Sequence, residues 1–266
     1  MKIGISQLIV PRDWSVERFL QEAQTAGYEA VELACRDEGD LTPDTPKHDL
    51  DRIRERADTL GIELNSMTHG HSRPRGNLLV DGEDRDYALQ RTTDALRVAA
   101  HLGIDCSLHT LGRLSPDLPY DDAYRNGVDS LRRLAPVAED TGVAVAVEFI
   151  WNGFLFSPLE MARFLDEVDS PAVGFYFDSG NMAVFQYPQH WARVCARHIK
   201  RVHLKDWQGR PLNGSWHALT EGGVDFAAVM AELRRGGYRG PLISEVAPGL
   251  ASLKETAAAI RRIRDM

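Results

Sequence analysis

Cysteine is scarce in this sequence: Cys35, Cys106 and Cys195 are the three in 266 residues, and none fall in CxxC spacing. An odd, sparse set argues against a disulfide framework and for a reducing compartment. Long apolar runs are also missing. No stretch approaches the roughly 20 residues of a membrane helix. The opening Met1-Lys2-Ile3-Gly4-Ile5-Ser6 reads as a strand without the apolar region of a signal segment. The expectation is a cytoplasmic protein with no membrane partner. Positive charge is outnumbered, with 31 Lys and Arg against 39 Asp and Glu for a net charge of −8. Such a surface repels phosphate backbones, so broad capture of nucleic acid is excluded, although a local basic pocket is not. Linkers, low-complexity segments and domain boundaries are absent too, and residues 1–266 read as a single domain.

What is present is a regular alternation of short apolar runs with longer amphipathic segments. The pattern predicts strands at residues 2–6, 30–33, 63–68, 106–110, 144–149, 173–177, 201–204 and 242–246. Helical periodicity falls between them at 16–26, 50–60, 85–102, 123–141, 158–168 and 226–235, with a weaker segment near 190–196. Gly27, Gly61, Gly103, Gly142 and Gly237 each follow a helix and precede a strand, as left-handed C-caps do. Ser157-Pro158-Leu159-Glu160 and Ser252-Leu253-Lys254-Glu255 carry N-terminal capping boxes. Eight β-then-α units make a parallel α/β sheet able to close into a (β/α)₈ TIM barrel, and the length suits one such unit. An open doubly wound sheet would call for a Gly-rich phosphate loop after the first strand, and Gln7-Leu8-Ile9-Val10-Pro11 is not one.

Barrel chemistry sits at the C-terminal ends of the strands. There the third strand ends in His69-Gly70-His71 and the fourth near His109. The next four end with Glu148, Asp178, His203 and Glu245. An ionisable group in an apolar strand costs free energy unless paired or metal-bound. Any one of these residues also reads as a strand-end salt bridge. Four on consecutive strands would converge on the barrel axis, and three carboxylates with one imidazole suit a hard or borderline divalent ion such as Mn²⁺, Mg²⁺ or Co²⁺.

The segments Val147-Glu148-Phe149, Phe177-Asp178-Ser179-Gly180-Asn181, Val202-His203-Leu204-Lys205-Asp206 and Ser244-Glu245-Val246 resemble the sugar-phosphate isomerase/epimerase family, within the xylose-isomerase-like barrel superfamily that also holds the endonuclease IV group. Glu221-Gly222-Gly223-Val224-Asp225-Phe226 is similar to that family's glycine-rich turn, and the resemblance runs from Gly27-Tyr28-Glu29-Ala30-Val31-Glu32 to Glu245. It implies one divalent metal, Mn²⁺ first and Mg²⁺, Co²⁺ or Zn²⁺ as alternatives, on Glu148, Asp178, His203 and Glu245. It also implies that Glu148 and Glu245 are the catalytic acid and base. A Lewis acid would stabilise an enediolate while two facing carboxylates exchange the proton. One position departs from the family: Asn181 stands where many members have histidine, and asparagine neither relays protons nor supplies an imidazole. This puts an ordinary ketose 3-epimerase assignment in doubt.

His69, His109, Asn181, Lys205, Trp151, Trp207 and His217 are candidate substrate-binding residues. His69 and His109 also match strand-end histidines that bind further zinc in the endonuclease IV group, so a second metal shared with Glu148 is an alternative for them. Lys205 reads either as an oxyanion or hydroxyl binder or as a partner of Asp206. Trp151, Phe154, Phe156, Trp207 and Trp216 crowd the fifth and seventh βα loops, where aromatic faces stack on sugars and flat rings or simply pack together. Arg73, Arg75 and Arg113 are candidates for holding a phosphate or carboxylate, and His71 reads as solvated or as a site residue. The expected enzyme is a metal-dependent isomerase or epimerase of a ketose or ketose phosphate. The alternative is a lyase on the same scaffold, such as an inosose or dehydroshikimate dehydratase or the catalytic subunit of a C-glycoside deglycosidase. An AP endonuclease and a non-catalytic sugar-binding barrel fit the residues less well. The partner is a small sugar-like substrate, one with an aromatic part being consistent with the loops, and no nucleic acid. A homo-oligomer, or a small partner subunit in the deglycosidase case, fits the resemblance.

Overall fold

Eight short strands carry side chains buried on both faces, as expected of a parallel sheet wrapped by helices. The computed structural model of the chain describes residues 1–69 and 76–266. In chain order the strands and helices are β1 (Ile3–Ser6), α1 (Val16–Ala26), β2 (Ala30–Cys35), α2 (Lys47–Leu60), β3 (Glu63–His69), α3 (Glu83–His101), β4 (Cys106–His109), α4 (Tyr120–Thr141), β5 (Ala144–Glu148), α5 (Pro158–Val168), β6 (Val173–Asp178), α6 (Ser179–Ala183), α7 (Pro188–Val194), β7 (Ile199–Leu204), β8 (Asp206–Arg210), β9 (Asn213–His217), α8 (Phe226–Arg235), β10 (Leu242–Ser244) and α9 (Leu253–Asp265). Strands β1, β2, β3, β4, β5, β6, β7 and β10 close in that sequence into one barrel, β1 pairing with both β2 and β10. The pairings are parallel throughout the ring, which makes the molecule a (β/α)₈ TIM barrel.

The local signals behave as their chemistry requires. Ser157 and Ser252 accept the backbone N–H three residues on, the latter in a complete capping box, and such caps contribute about 0.5–2 kcal/mol each. Gly27, Gly61 and Gly142 close α1, α2 and α4 in the left-handed region, where a Cβ would be strained. Helices α2, α3 and α4 start two or three residues earlier than their apolar periodicity suggests. Their N-caps, Pro46, Gly82 and Pro119, lack a capping side chain, so the polar first turn leaves no mark. The weak segment near 190–196 is α7, which starts at Pro188, and a further short helix, α6, precedes it directly after β6.

The seventh connection is not a plain loop. Directly after β7 the chain forms an antiparallel hairpin, β8 with β9, that pairs Trp207 with Trp216 and Asp206 with His217. The hairpin stands outside the barrel sheet at the mouth, and Gly209 and Gly214 meet at its turn end.

Candidate active site

Cys106, Leu108, Ala146, Tyr176 and Ile243 form a small buried cluster separate from the sheet-to-helix core. Strand side chains two residues apart share a face. Glu148, Asp178 and Glu245 therefore continue the face of Ala146, Tyr176 and Ile243 upward to the mouth. His203 on β7 joins them, its ring 4.4 Å from that of Tyr176. One donor atom from each of Glu148, Asp178, His203 and Glu245 lies within 4.8 Å of every other. His203 Nδ1 sits 3.4 Å from Glu148, 3.5 Å from Glu245 and 3.8 Å from Asp178.

These groups strain against burial in different ways. Desolvation pushes the Glu148 carboxyl up to about 8, with the charges of Glu245 and Asp178 adding to it and the hydrogen bond with His203 opposing. For His203, desolvation favours the neutral ring, but the charges of Glu32 and Glu245 outweigh it and hold the imidazole above its ordinary value. Asp178 spends Oδ1 on the backbone N–H groups of Gly180 and Asn181, both at 2.8 Å. Its Oδ2 is buried without a hydrogen bond and faces the Lys205 ammonium at 3.0 Å. A buried carboxylate oxygen whose partner is a cation, beside two further carboxylates and an imidazole, belongs to a donor set that fits a divalent ion. Ligands standing about 2.0–2.6 Å from a hard ion are no more than about 5 Å apart, which matches the observed spread.

Glu32 was not among the site residues expected from sequence, yet it organises the cluster. It lies wholly buried on β2, and its Oε1 takes His203 Nε2 at 2.9 Å. Its Oε2 accepts the hydroxyls of Tyr176 and Ser66. Burial alone would raise this carboxyl, but His203, Tyr176 and Ser6 outweigh burial and leave it below its ordinary value. With Nε2 committed to Glu32, the imidazole presents Nδ1 to the carboxylates of Glu148, Asp178 and Glu245, an arrangement like that by which an outer carboxylate fixes the tautomer of a metal-binding histidine. Glu32→Gln is expected to weaken divalent-ion binding by about 10–100-fold, measured by titration calorimetry on folded protein. Wild-type affinity in that variant would remove Glu32 from the role.

Asn181 bridges the cluster. Its Nδ2 donates to Phe149 O at 3.1 Å and to Glu148 Oε1 at 3.4 Å, while its Oδ1 accepts from Lys205 Nζ at 3.3 Å. Lys205 does not pair with Asp206, the alternative left open by the sequence. It contacts Asp178 and Glu245, which hold its ammonium charged against burial. Asp206 instead accepts the N–H groups of Thr220, Gly222 and Val224, at 2.9, 2.9 and 3.0 Å, and so folds the glycine-rich turn over the mouth. A Cβ at Gly222 would stand 2.3 Å from Asp206 Oδ1, which is why glycine occupies that position.

The aromatic residues separate into two groups. Trp151 and Trp216 stack in parallel with centroids 5.4 Å apart, and buried Trp207 meets Trp216 edge-on at 5.1 Å. Trp151 is 44% exposed and offers surface at the mouth. Phe154 is buried against Tyr120 and Phe164, and Phe156 packs on Phe149 and Phe185. His217 bonds Ser215 at 3.0 Å and lines, with Lys205, Glu245, Trp216, Ile9 and Leu250, a cavity of about 220 Å³ opening beside the cluster. A larger surface cavity, about 710 Å³, lies between α1 and α2 and shares no residue with the cluster. The chemistry, not the volume, locates the site.

His69 and His109 come together with ring centroids 6.3 Å apart. They line a cavity of about 20 Å³ that contains none of the four cluster residues. His109 is engaged at both nitrogens, accepting from Leu111 N–H at 2.9 Å and meeting Thr92 Oγ1 at 3.3 Å. Among the described residues they do not join the four-residue donor group. Arg113 is exposed, with its carbonyl accepting from Asn77. His71, Arg73 and Arg75 lie outside the described residues.

A closed parallel barrel carrying a carboxylate–imidazole cluster at the C-terminal ends of its strands defines the class of protein. The chain belongs to the xylose isomerase-like TIM barrel family, which it matches over residues 20–265. It is 25% identical to the L-ribulose 3-epimerase of Methylomonas sp. strain DH-1, over 92% of this chain and 84% of that protein. It is 24% identical to a 3-oxo-isoapionate decarboxylase of Pectobacterium atrosepticum over 66% of this chain and 55% of that protein. Its fold superposes on the D-psicose 3-epimerase of Clostridium cellulolyticum H10, solved with D-tagatose, with a TM-score of 0.81 at 19% identity, over 100% of this chain and 92% of the other. The expectation of an enzyme of the isomerase and epimerase kind agrees with the ribulose and psicose epimerases among them. No helix among the described residues is long and apolar enough to cross a membrane.

Proposed function

We propose that this chain is a divalent-metal-dependent epimerase or isomerase of a ketose or ketose phosphate, working by proton transfer through an enediolate. The observation that carries this reading is the convergence of donor atoms from Glu148, Asp178, His203 and Glu245 within 4.8 Å of one another. A bound divalent ion would supply Lewis acidity toward neighbouring oxygens of the substrate. The residues of the chain do the rest. Glu148 and Glu245 come from β5 and from the end of β10, on different sides of the cluster, and each has a second oxygen with which to take or return a carbon-bound proton. Asn181 fixes Glu148 and meets the Lys205 ammonium. Trp151 and Trp216 provide the apolar wall against which a sugar C–H face packs.

A lyase is the second reading, and two observations favour keeping it. Asn181 holds Glu148 where a proton-relaying group would otherwise stand, and one relative is a decarboxylase. The deciding experiment incubates the metal-loaded protein with a panel of free and phosphorylated ketoses in D₂O and follows them by NMR and mass spectrometry. An epimerase is expected to return a ketose of the starting composition carrying one deuterium at the reacting carbon. Loss of water, carbon dioxide or an aglycone would establish the lyase instead. Interconversion without solvent exchange would replace proton transfer by a hydride shift.

A further inference from the structure

The carboxylate cluster already has a cation of its own. Lys205 Nζ stands 3.0 Å from Asp178 Oδ2, contacts Glu245 Oε2 and is 3.3 Å from Asn181 Oδ1. It reaches the carboxylates of two of the four residues in the candidate metal-ligand set. The donor atoms of that set span no more than 4.8 Å, so the space between them holds one cation. An ammonium left there beside a divalent ion would face strong repulsion in a buried site where charge is poorly screened.

We propose that Lys205 is a built-in counter-ion that competes with the divalent metal, and that metal loading expels its ammonium toward the substrate cavity. This inference rests on the metal-dependent reading given above. The base of the side chain is fixed: a Cβ at Gly180 would lie 2.4 Å from the Lys205 Cβ, so strand and helix grip the residue there and the swing belongs to the outer carbons. The way out is open, because Lys205 also lines the 220 Å³ cavity beside Glu245, and its Nζ is already 5.7 Å from the centre of the Trp216 ring. An ammonium over an indole face keeps a favourable electrostatic partner. Before loading, the residue neutralises buried carboxylates that would repel one another. After loading, it presents a positive charge to the oxygens of a substrate in the cavity. Loading and substrate recognition are thereby linked through one side chain.

The test compares Mn²⁺ binding to the metal-stripped wild type and to Lys205→Met by titration calorimetry at pH 8.5. It also compares their metal-free Tm values. The variant is expected to bind Mn²⁺ about tenfold tighter or more, since nothing has to be expelled, and to melt at a lower temperature without metal. General damage to the site would weaken binding, so the direction of change separates competition from structural loss. A Lys205→Met variant that binds Mn²⁺ no tighter than a wild type that does bind it overturns the counter-ion role and leaves the metal-dependent reading standing. Binding to neither protein overturns both. A crystal structure of the Mn²⁺-loaded wild type gives the second readout: Nζ displaced from Asp178 supports the inference, and Nζ still within contact of Asp178 Oδ2 refutes it.

Discussion

Glu148→Gln and Glu245→Gln are each expected to lower turnover by about 10²–10⁴-fold, the range that a positioned acid or base contributes. Both variants should fold and melt cooperatively. A C–H beside a carbonyl is too weakly acidic for a free carboxylate, so removal of the proton depends on a base held in place and a charge-stabilising centre beside it. Glutamine keeps an oxygen able to meet a cation but cannot carry the proton. The two substitutions are not equivalent in the resting protein. Glu148 is buried and held protonated up to about pH 8 by desolvation and by its charged neighbours, so a neutral amide there replaces what is already a largely neutral group at pH 7. Glu245 is partly exposed and pairs with the Lys205 ammonium, so Glu245→Gln also loosens that lysine. With a substrate in hand, steady-state kinetics and deuterium exchange at the reacting carbon check both. Wild-type turnover in either variant would strip that residue of its assigned role.

The residues that the sequence displays most openly are those whose chemistry conflicts with their surroundings. Glu148 and Glu245 stand out because each closes a run of strand-forming apolar residues, and Asp178 and His203 fall at the same point of their units. Period-two alternation then places them on one face, and the barrel closure brings them together. The same criterion applies to Glu32 in Ala30-Val31-Glu32-Leu33-Ala34. Glu32 lies in the middle of β2 rather than at a strand end, so its position in the sequence does not mark it as part of the mouth. Its partner His203 is 171 residues away, a pairing that only closure of the ring creates.

The β8–β9 hairpin was hidden for a different reason. Gln208-Gly209-Arg210 and Asn213-Gly214-Ser215 have the composition of a polar loop, and the strands hold through backbone pairing and the Trp207–Trp216 contact rather than through an alternating pattern. Lys205 is a case in which proximity along the chain misleads. Asp206 is next to it, but neighbours on an extended chain point to opposite sides. The lysine thus turns inward to Asp178 and Glu245 and the aspartate turns to the glycine-rich turn. The small helix α6 was invisible because five residues are too few to show a period, and it is Asp178 accepting the N–H groups of Gly180 and Asn181 that starts it.

Between pH 6 and pH 8 the affinity for a divalent ion is expected to rise by at least about tenfold per pH unit, because each bound ion must displace a proton from the ligand set. The sign follows from the shifts. Glu148 has its carboxyl raised to about 8, so in the metal-free protein it keeps a proton throughout this window, and the His203 imidazole, also raised, adds a second. An ion needs both groups without those protons, so acid competes with metal and alkali favours it. Folding without metal should show the opposite trend. A group whose folded value is raised binds more protons in the native state than in the unfolded chain, where a glutamate titrates near 4.3. Its stabilising contribution is complete below that pH and is lost as pH climbs through about 8, at up to about 1.4 kcal/mol per pH unit for one proton. The metal-free Tm should thus decline from pH 6 to pH 8, while the increase in Tm on adding Mn²⁺ grows across the same interval. Glu148→Gln has no proton to lose at this position and should flatten much of the decline. The measurements are thermal unfolding with and without Mn²⁺ at half-unit pH steps, and calorimetry in buffers of different ionisation heat to count the protons released. A metal affinity independent of pH, or a metal-free Tm that rises toward pH 8, would show that the cluster does not hold these protons and that the charge balance around Glu148 and His203 is set by other groups.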